Sequence, residues 1–323
     1  MAELRLNKAE HRGQPSFRKL VTLCLTMALS LPLARDQRTK LPDRTPLPAR
    51  VAAVRYHPLS LPAARLAPLR LRGAWRVQVD DRRFAGLSAL VADRRGLTAL
   101  SDWGEVIRLP RPGEGSTVLL RDLPQGPGPP TFKKYRDSES LAAGANGWWV
   151  TFEYRHSLWH YSPNWRAGRE VASFRRFRWP VNSGVEAVVR TSAGRWLLIP
   201  ESGRFVMEPT AGGFGRWPLS GARGGIADAT RLPDGRIVVA VRQIGWGIVN
   251  RLAWLERAGK GFRLRPFATL PLGLFDNVEG LAAEPLPGGA TRLWAVTDND
   301  GWRRTLLLQM ELPAPGKRER AGR

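Results

Sequence analysis

Short apolar runs, bounded by glycine turns and polar positions, recur between residues 87 and 312 and predict β-strands throughout this stretch. Five segments align, beginning Leu87-Ser88-Ala89-Leu90, Ser138-Glu139-Ser140-Leu141, Val185-Glu186-Ala187-Val188, Ala227-Asp228-Ala229-Thr230 and Val278-Glu279-Gly280-Leu281. The second position is acidic in four of the five. A glycine turn follows (Gly96, Gly147, Gly194, Gly235, and Gly288 with Gly289), and then a second apolar run. These second runs end at another polar position: Asp102, Glu153, Glu201, Arg242 and Asp298. The offsets between the two polar positions are 14, 14, 15, 14 and 19 residues, the last lengthened by the insertion from Pro285 to Thr291. Each unit is therefore a hairpin that continues into a further strand, as at Ser157 to Tyr161, Ile248 to Leu255 and Thr305 to Leu312.

Spacings of 51, 47, 42 and 51 residues between the first polar positions match a repeated unit of three or four strands. Such periods are the mark of stacked β units. The expected fold class is an all-β propeller, five blades by motif count with six possible. The last repeat is short on its carboxyl side, and the strand-like residues Leu69 to Val79 are expected to complete it, closing the ring with an amino-terminal strand and removing its open edges.

The amino-terminal part reads differently. Leu20 to Ala34 (LVTLCLTMALSLPLA) carries no charge, follows Phe17-Arg18-Lys19 and ends in small residues and a proline, the layout of a secretory signal peptide. The stretch is shorter than the roughly 20 residues a membrane span needs. The domain reading is thus a signal peptide or uncleaved anchor at 1–34, a Pro/Arg-rich linker at 35–50, the propeller at 51–313 and a basic tail at 314–323. Residues before Cys24 lack the small side chain of a lipoprotein cleavage site, and no Arg-Arg pair precedes the apolar run. The expected location is periplasmic or secreted, with no stable membrane span after processing and a monomeric state.

The 323 residues carry 51 Lys+Arg against 28 Asp+Glu, a formal charge of +23. Met1 to Arg83 holds +11 of this and Pro313 to Arg323 holds +3, leaving +9 for the body. The arginines are scattered beside turns rather than gathered among aromatic platforms, so no specific nucleic-acid partner is expected. A single cysteine, Cys24, excludes a disulfide framework and a thiolate zinc centre. No GxSxG elbow, HExxH helix, Walker loop or GxGxxG turn occurs, and the SxxK spacing at Ser16 to Lys19 falls in the export signal.

In a propeller the innermost strand of every blade lines one axis, so a repeated side chain becomes a ring. Glu139, Glu186, Asp228 and Glu279 are expected to form that ring, with Asp102, Glu153, Glu201 and Asp298 as a second tier. Crowded carboxylates repel and take up protons or a cation, and hard oxygen ligands without Cys or His select calcium or magnesium. The same acids equally suit a structural role, accepting turn N–H groups or pairing with arginine between blades. Asp298-Asn299-Asp300-Gly301 has the start of a calcium loop without its later ligands. Arg155, His156 and Arg242 stand near these positions and could hold an anionic substrate.

With these residues in place the chain resembles the phytase-like domain family, in full the esterase-like activity of phytase family. The resemblance runs through Gly73 to Gly104, Asp137 to Leu158 (DSESLAAGANGWWVTFEYRHSL), GVEAVV with IPESGR, and Asn277 to Asp300, or about Val51 to Pro313 overall. It implies a secreted or periplasmic propeller-like domain with phosphoester or ester hydrolase activity. The chain departs from the pattern at Ser88 and Arg242, which are acidic in other copies, and at Trp103, where the family usually has arginine.

The expected activity is a calcium-dependent hydrolase acting on an anionic small molecule. Its catalytic set is Glu139, Glu186, Glu201 and Arg155, and its metal set is Glu139, Glu186, Glu279, Asp298, Asp228, Asp102 and Glu153. The alternative is a non-catalytic propeller that binds a ligand or protein in the cell envelope, and a third reading is a propeller-type lactone hydrolase.

Overall fold

The computed structural model describes residues 48–62, 66–298 and 304–316. The expected signal segment, most of the linker, Asn299-Asp300-Gly301 and the end of the basic tail lie outside the described residues. Among those described, secondary structure is almost wholly β, and no helix is long and apolar enough to cross a membrane.

Two strands come first, β1 (Arg50–Pro58) and β2 (Arg70–Val79). Four antiparallel groups of four follow. They are β3 (Leu87–Asp93) to β6 (Thr117–Asp122) through β4 (Gly96–Ser101) and β5 (Glu105–Leu109), and β7 (Ser138–Gly144) to β10 (Gly168–Ser173) through β8 (Gly147–Phe152) and β9 (Ser157–Tyr161). The next are β11 (Val185–Arg190) to β14 (Gly213–Ser220) through β12 (Trp196–Pro200) and β13 (Phe205–Thr210), and β15 (Gly225–Arg231) to β18 (Gly261–Thr269) through β16 (Ile237–Ile244) and β17 (Ile248–Ala258). A last group runs β19 (Asn277–Pro285), β20 (Thr291–Asp298), β21 (Leu306–Leu312) and takes β2 as its fourth strand.

The segment expected to complete the last repeat therefore pairs with β21, from Arg70 opposite Glu311 to Arg76 opposite Leu306. The strand β1 begins at the boundary between the expected linker (35–50) and the expected propeller (51–313). It pairs antiparallel with β2 on one side and β6 on the other, which merges the last and first groups into one nine-stranded sheet. Arg50 to Ala53 pair with β6 and Val54 to Pro58 with β2, so each half of β1 finds a hydrogen-bonded partner.

Buried apolar side chains of the described residues gather into five clusters, each shared by two groups. Leu100 and Val106 meet Leu141, Val150 and Phe152; Ala142 and Leu158 meet Val188, Leu198 and Met207. Ala187, Ile199 and Val206 meet Val239 and Val241; Val238 and Leu252 meet Leu281, Leu293 and Leu308; Trp294 and Val296 meet Leu87, Leu90 and Ile107. The first strands β3, β7, β11, β15 and β19 pack in that succession, and β19 also packs on β3. Second strands such as β4, buried at every residue, are covered on both faces, so their sequences read as continuous apolar runs instead of alternating ones. Each Leu, Ile or Val so buried contributes about 1.5–3 kcal/mol.

Every first strand carries a β-bulge near its start, at Ser88, Glu139, Glu186, Ala227 and Glu279. A bulge lets one residue escape the ladder and re-aims its side chain. In four groups the bulged residue is the first polar position of the sequence repeat. In the fourth it is Ala227, one residue ahead of the expected Asp228.

The residue after the bulge has its own task. Ser140 Oγ accepts the Val188 amide at 2.9 Å, and Asp228 Oδ2 accepts the equivalent amide of the next group, Leu281, at 2.7 Å. Asp228 Oδ1 also accepts the Ala229 amide at 2.7 Å. Asp228 is thus a clasp between neighbouring first strands, which corrects its expected place in the acidic ring. At the seam of last and first groups Gly280 does the spacing, since a Cβ there would stand 2.7 Å from Val296 and 2.9 Å from the Ala89 backbone. Replacing Asp228 by Ala leaves the buried Leu281 amide without an acceptor and is expected to cost roughly 2–3 kcal/mol in urea unfolding, with Asp228→Asn costing less.

Candidate metal centre

The bulges and the turns after the second strands present their side chains at one end of the strand groups. The first tier, taken at the bulges, reads Ser88, Glu139, Glu186, Ala227 and Glu279. The second tier follows residues that pair with the one before each bulge, as Ser101 does with Leu87 and Val241 with Ile226. It reads Asp102, Glu153, Glu201, Arg242 and Asp298. The second, third and last groups hold an acid in both tiers; Arg242 binds Glu201 of the third and Glu279 of the last, which leaves the carboxylates of Glu139, Glu153 and Glu186, at the starts of β7 and β11 and the end of β8, without an ion pair among the described residues.

Oxygen atoms of Asp137, Glu139 and Glu153 lie within 4.8 Å of one another, and so do those of Glu153, Glu186 and Glu201. Glu153 belongs to both sets and joins them. Glu186 is 5% exposed, while Glu139 and Glu153 are half-buried. Two like charges at that separation repel by roughly 3 kcal/mol at the effective dielectric of a protein. Burial first, then Glu186, Asp137 and Glu153, hold the Glu139 carboxyl well above the usual carboxylate range. Glu186 is raised likewise by burial and by Glu153, Glu201 and Glu279. Glu153 is pushed up to about 9, by burial and then Asp137.

Two cations interrupt the ring. Lys133, from the 3-10 turn Lys133–Tyr135 ahead of β7, sets its Nζ 2.9 Å from Asp102 Oδ2 and 2.8 Å from Asp137 Oδ1. Burial would lower its ammonium, but Asp102, Asp137 and Glu139 hold it well above the ordinary lysine range. Arg242 donates through Nη1 to Glu279 and through Nη2 to Glu201 Oε1 at 3.0 Å. Glu279, against burial, raises this guanidinium further, so it stays charged. Glu279 Oε1 also accepts Asn277 Nδ2 at 2.5 Å.

The expected residues therefore separate. The carboxylates of Glu139, Glu153 and Glu186 converge and make no hydrogen bond or ion pair with any described residue. Asp102, Glu201 and Glu279 are gripped by Lys133 or Arg242. Asp298 ends β20 opposite Asn277. Asp228 stays in the strand seam. Arg155 stacks over the Tyr135 ring at 4.5 Å, and its buried Nε meets no acceptor.

The basic residues expected to receive an anion divide as well. Arg242 is occupied by two carboxylates, because it stands where other groups have an acid and faces that acid's neighbours. His156 is buried edge-on to Trp179 at 5.7 Å, and burial lowers its ring pKa, which favours the neutral form. Lys133 and Asp137 were missed by reading repeats, since both lie ahead of the aligned segment. Their four-residue spacing just before Ser138-Glu139 was the available signal.

The family model described as phytase-like, esterase-like activity of phytase, matches residues 82–301. A comparison with curated protein sequences finds no match. Among solved structures the chain is similar to a catalytically inactive virginiamycin B lyase from Staphylococcus aureus with quinupristin, at 10% identity and TM-score 0.42, covering 81% of this chain and 99% of that one. It is also similar to Myxococcus xanthus glutaminyl cyclase, at 12% identity and TM-score 0.45, covering 76% and 97%. A third likeness is to the PQQ-bound aldose sugar dehydrogenase of Streptomyces coelicolor, at 12% identity and TM-score 0.42, covering 78% and 100%. At these values the likenesses carry nothing about activity.

The raised carboxyl groups make a pH prediction. Glu153 titrates near pH 4.5 when unfolded and near 9 when folded, so the stability it allows is full below about pH 4.5 and is lost as pH rises through about 9. The melting temperature of cation-free protein should fall across this window. Glu153→Gln, which mimics the protonated acid, should make the fall shallower, the remainder belonging to Glu139 and Glu186; an equally steep profile in the variant would show that Glu153 does not contribute to it.

Proposed function

This chain belongs to the phytase-like family, and on that premise we propose that it is an exported, monomeric, calcium-dependent hydrolase of phosphoesters or esters, built as a five-bladed propeller. The five strand groups are the blades, β2 completes the last, and β1 ties last to first. Five apolar seams in cyclic order support this reading of the fold.

The observation that carries the activity is the set of three carboxylates, Glu139, Glu153 and Glu186, left without partners among the described residues inside a ring where Lys133 and Arg242 neutralise other acids. The donors fit the ion. They are all carboxylate oxygens, and separations within 4.8 Å suit two ligands bound to one cation at 2.3–2.6 Å. Glu139, Glu153 and Glu186 would hold calcium, with Asp137 and Glu201 beside them. A bound calcium would supply Lewis acidity toward a phosphoryl or carbonyl oxygen and lower the pKa of a water.

The chain's own residues do the rest. Arg155, held flat by Tyr135, presents its remaining N–H groups to an anionic substrate. Glu201, oriented by Arg242, accepts the proton of the attacking water. Lys133 and Arg242 fix Asp102, Asp137, Glu201 and Glu279 so that the three unpaired acids keep their positions as charge changes.

A second reading is favoured by the same two cations. Because Lys133 and Arg242 already neutralise part of the ring, the site also fits a non-catalytic propeller that binds a ligand in the cell envelope.

Metal analysis and calcium titration, with and without chelator, test the first reading. Calcium is expected to raise the melting temperature and support cleavage of p-nitrophenyl phosphate or p-nitrophenyl acetate. Glu186→Gln should weaken calcium binding roughly tenfold or more and abolish turnover. A thermal response to calcium without turnover on either ester selects the binding protein, and no response to calcium removes the metal centre.

A further inference from the structure

We propose that the tip of the β16–β17 hairpin, with the loop between β18 and β19 beside it, docks on an anionic lipid surface and enters its headgroup boundary. Of the seven large hydrophobic side chains exposed among the described residues, four sit together. Ile244 is 72% exposed, Trp246 93%, Leu274 62% and Phe275 57%. The first two occupy the hairpin tip and the others the loop between β18 and β19.

The patch is built rather than frayed. The Ile248 amide donates to the Leu274 carbonyl at 2.7 Å, and the Gly245 amide to the Gly247 carbonyl at 3.0 Å. A Cβ on Gly247 would lie 2.7 Å from Leu274 Cδ2, so the glycine lets tip and loop close on each other. An apolar surface of this kind, led by a nearly naked tryptophan, loses free energy in water and gains it at a lipid interface, where an indole sits with its N–H among headgroups.

Two observations choose a lipid surface as the occupant. Cations border the patch: Arg251 donates to Gln243 beside Ile244, and exposed Arg223 precedes Gly224, which abuts the Arg242 carbonyl. Basic residues around an apolar wedge suit anionic headgroups. The formal charge of +23 opposes pairing with a second copy.

The full chain tests this by co-sedimentation with vesicles of phosphatidylcholine alone and of phosphatidylcholine mixed with phosphatidylglycerol. Binding to the anionic vesicles, weakened by salt, is expected. The double variant Ile244→Ser, Trp246→Ser should bind roughly tenfold or more weakly. Brominated lipid should quench part of the tryptophan emission. Trp246→Phe, conservative at a site too exposed to unfold the protein, should keep binding and lose that quenched part. Undiminished binding of the double variant, or quenching that survives Trp246→Phe, would assign membrane contact to the amino-terminal segment and overturn the proposal. Dimers in sedimentation velocity with no vesicle binding would assign the patch to a second copy.

Discussion

Mutual repulsion among carboxylates held at the starts of neighbouring strands is the constraint around which this molecule is arranged. Five first strands begin at one level, and a bulge in each turns one residue out of its ladder. In the second and third groups both that residue and the end of the adjoining strand are acidic. Oxygens that would separate in water are kept within 4.8 Å by seams of buried Leu, Ile and Val that no side-chain rotation can relax.

The molecule meets this repulsion in two ways. Lys133 and Arg242 each bind two carboxylates, and because both are themselves surrounded by acids they remain charged. Glu139, Glu153 and Glu186 have no such partner among the described residues, and their carboxyl groups rise out of the normal range instead. A proton and a divalent cation are alternative answers to the same excess of charge. The paired acids and the unpaired ones thus have distinct parts: the former hold geometry, the latter hold whatever neutralises them.

The asymmetry of the ring follows from the substitutions that break the repeat. Ser88 and Ala227 remove first-tier acids from the first and fourth groups. Ser88 Oγ donates to the Ser138 carbonyl at 2.6 Å, so it links neighbouring first strands where other copies project a carboxylate. Arg242 reverses the charge of the second tier in the fourth group. The consequence is an uneven ring, in which the guanidinium of Arg242 is taken up by Glu201 and Glu279 while the carboxylates of Glu139, Glu153 and Glu186 are left beside one another.

Much was already written in the chain. The alternation of apolar runs and glycine turns determined an all-β molecule of repeated hairpins, because only that pattern buries those runs without exposing backbone polar groups. The positions of Glu139, Glu153, Glu186, Glu201 and Glu279 were legible from their common offsets, since equal spacing in equal hairpins puts side chains at equal height. Tertiary structure alone decided the rest. Asp228 kept the sequence spacing of the acidic position yet fell one residue past its bulge, because a bulge is fixed by cross-strand register and leaves no mark in composition. Lys133 and Arg242 joined the ring from a loop and a strand end, a matter of where long side chains reach once distant segments have met. The strand β1, hidden among prolines, took its form from the two open edges on either side of it, which exist only after the first and last groups have come together.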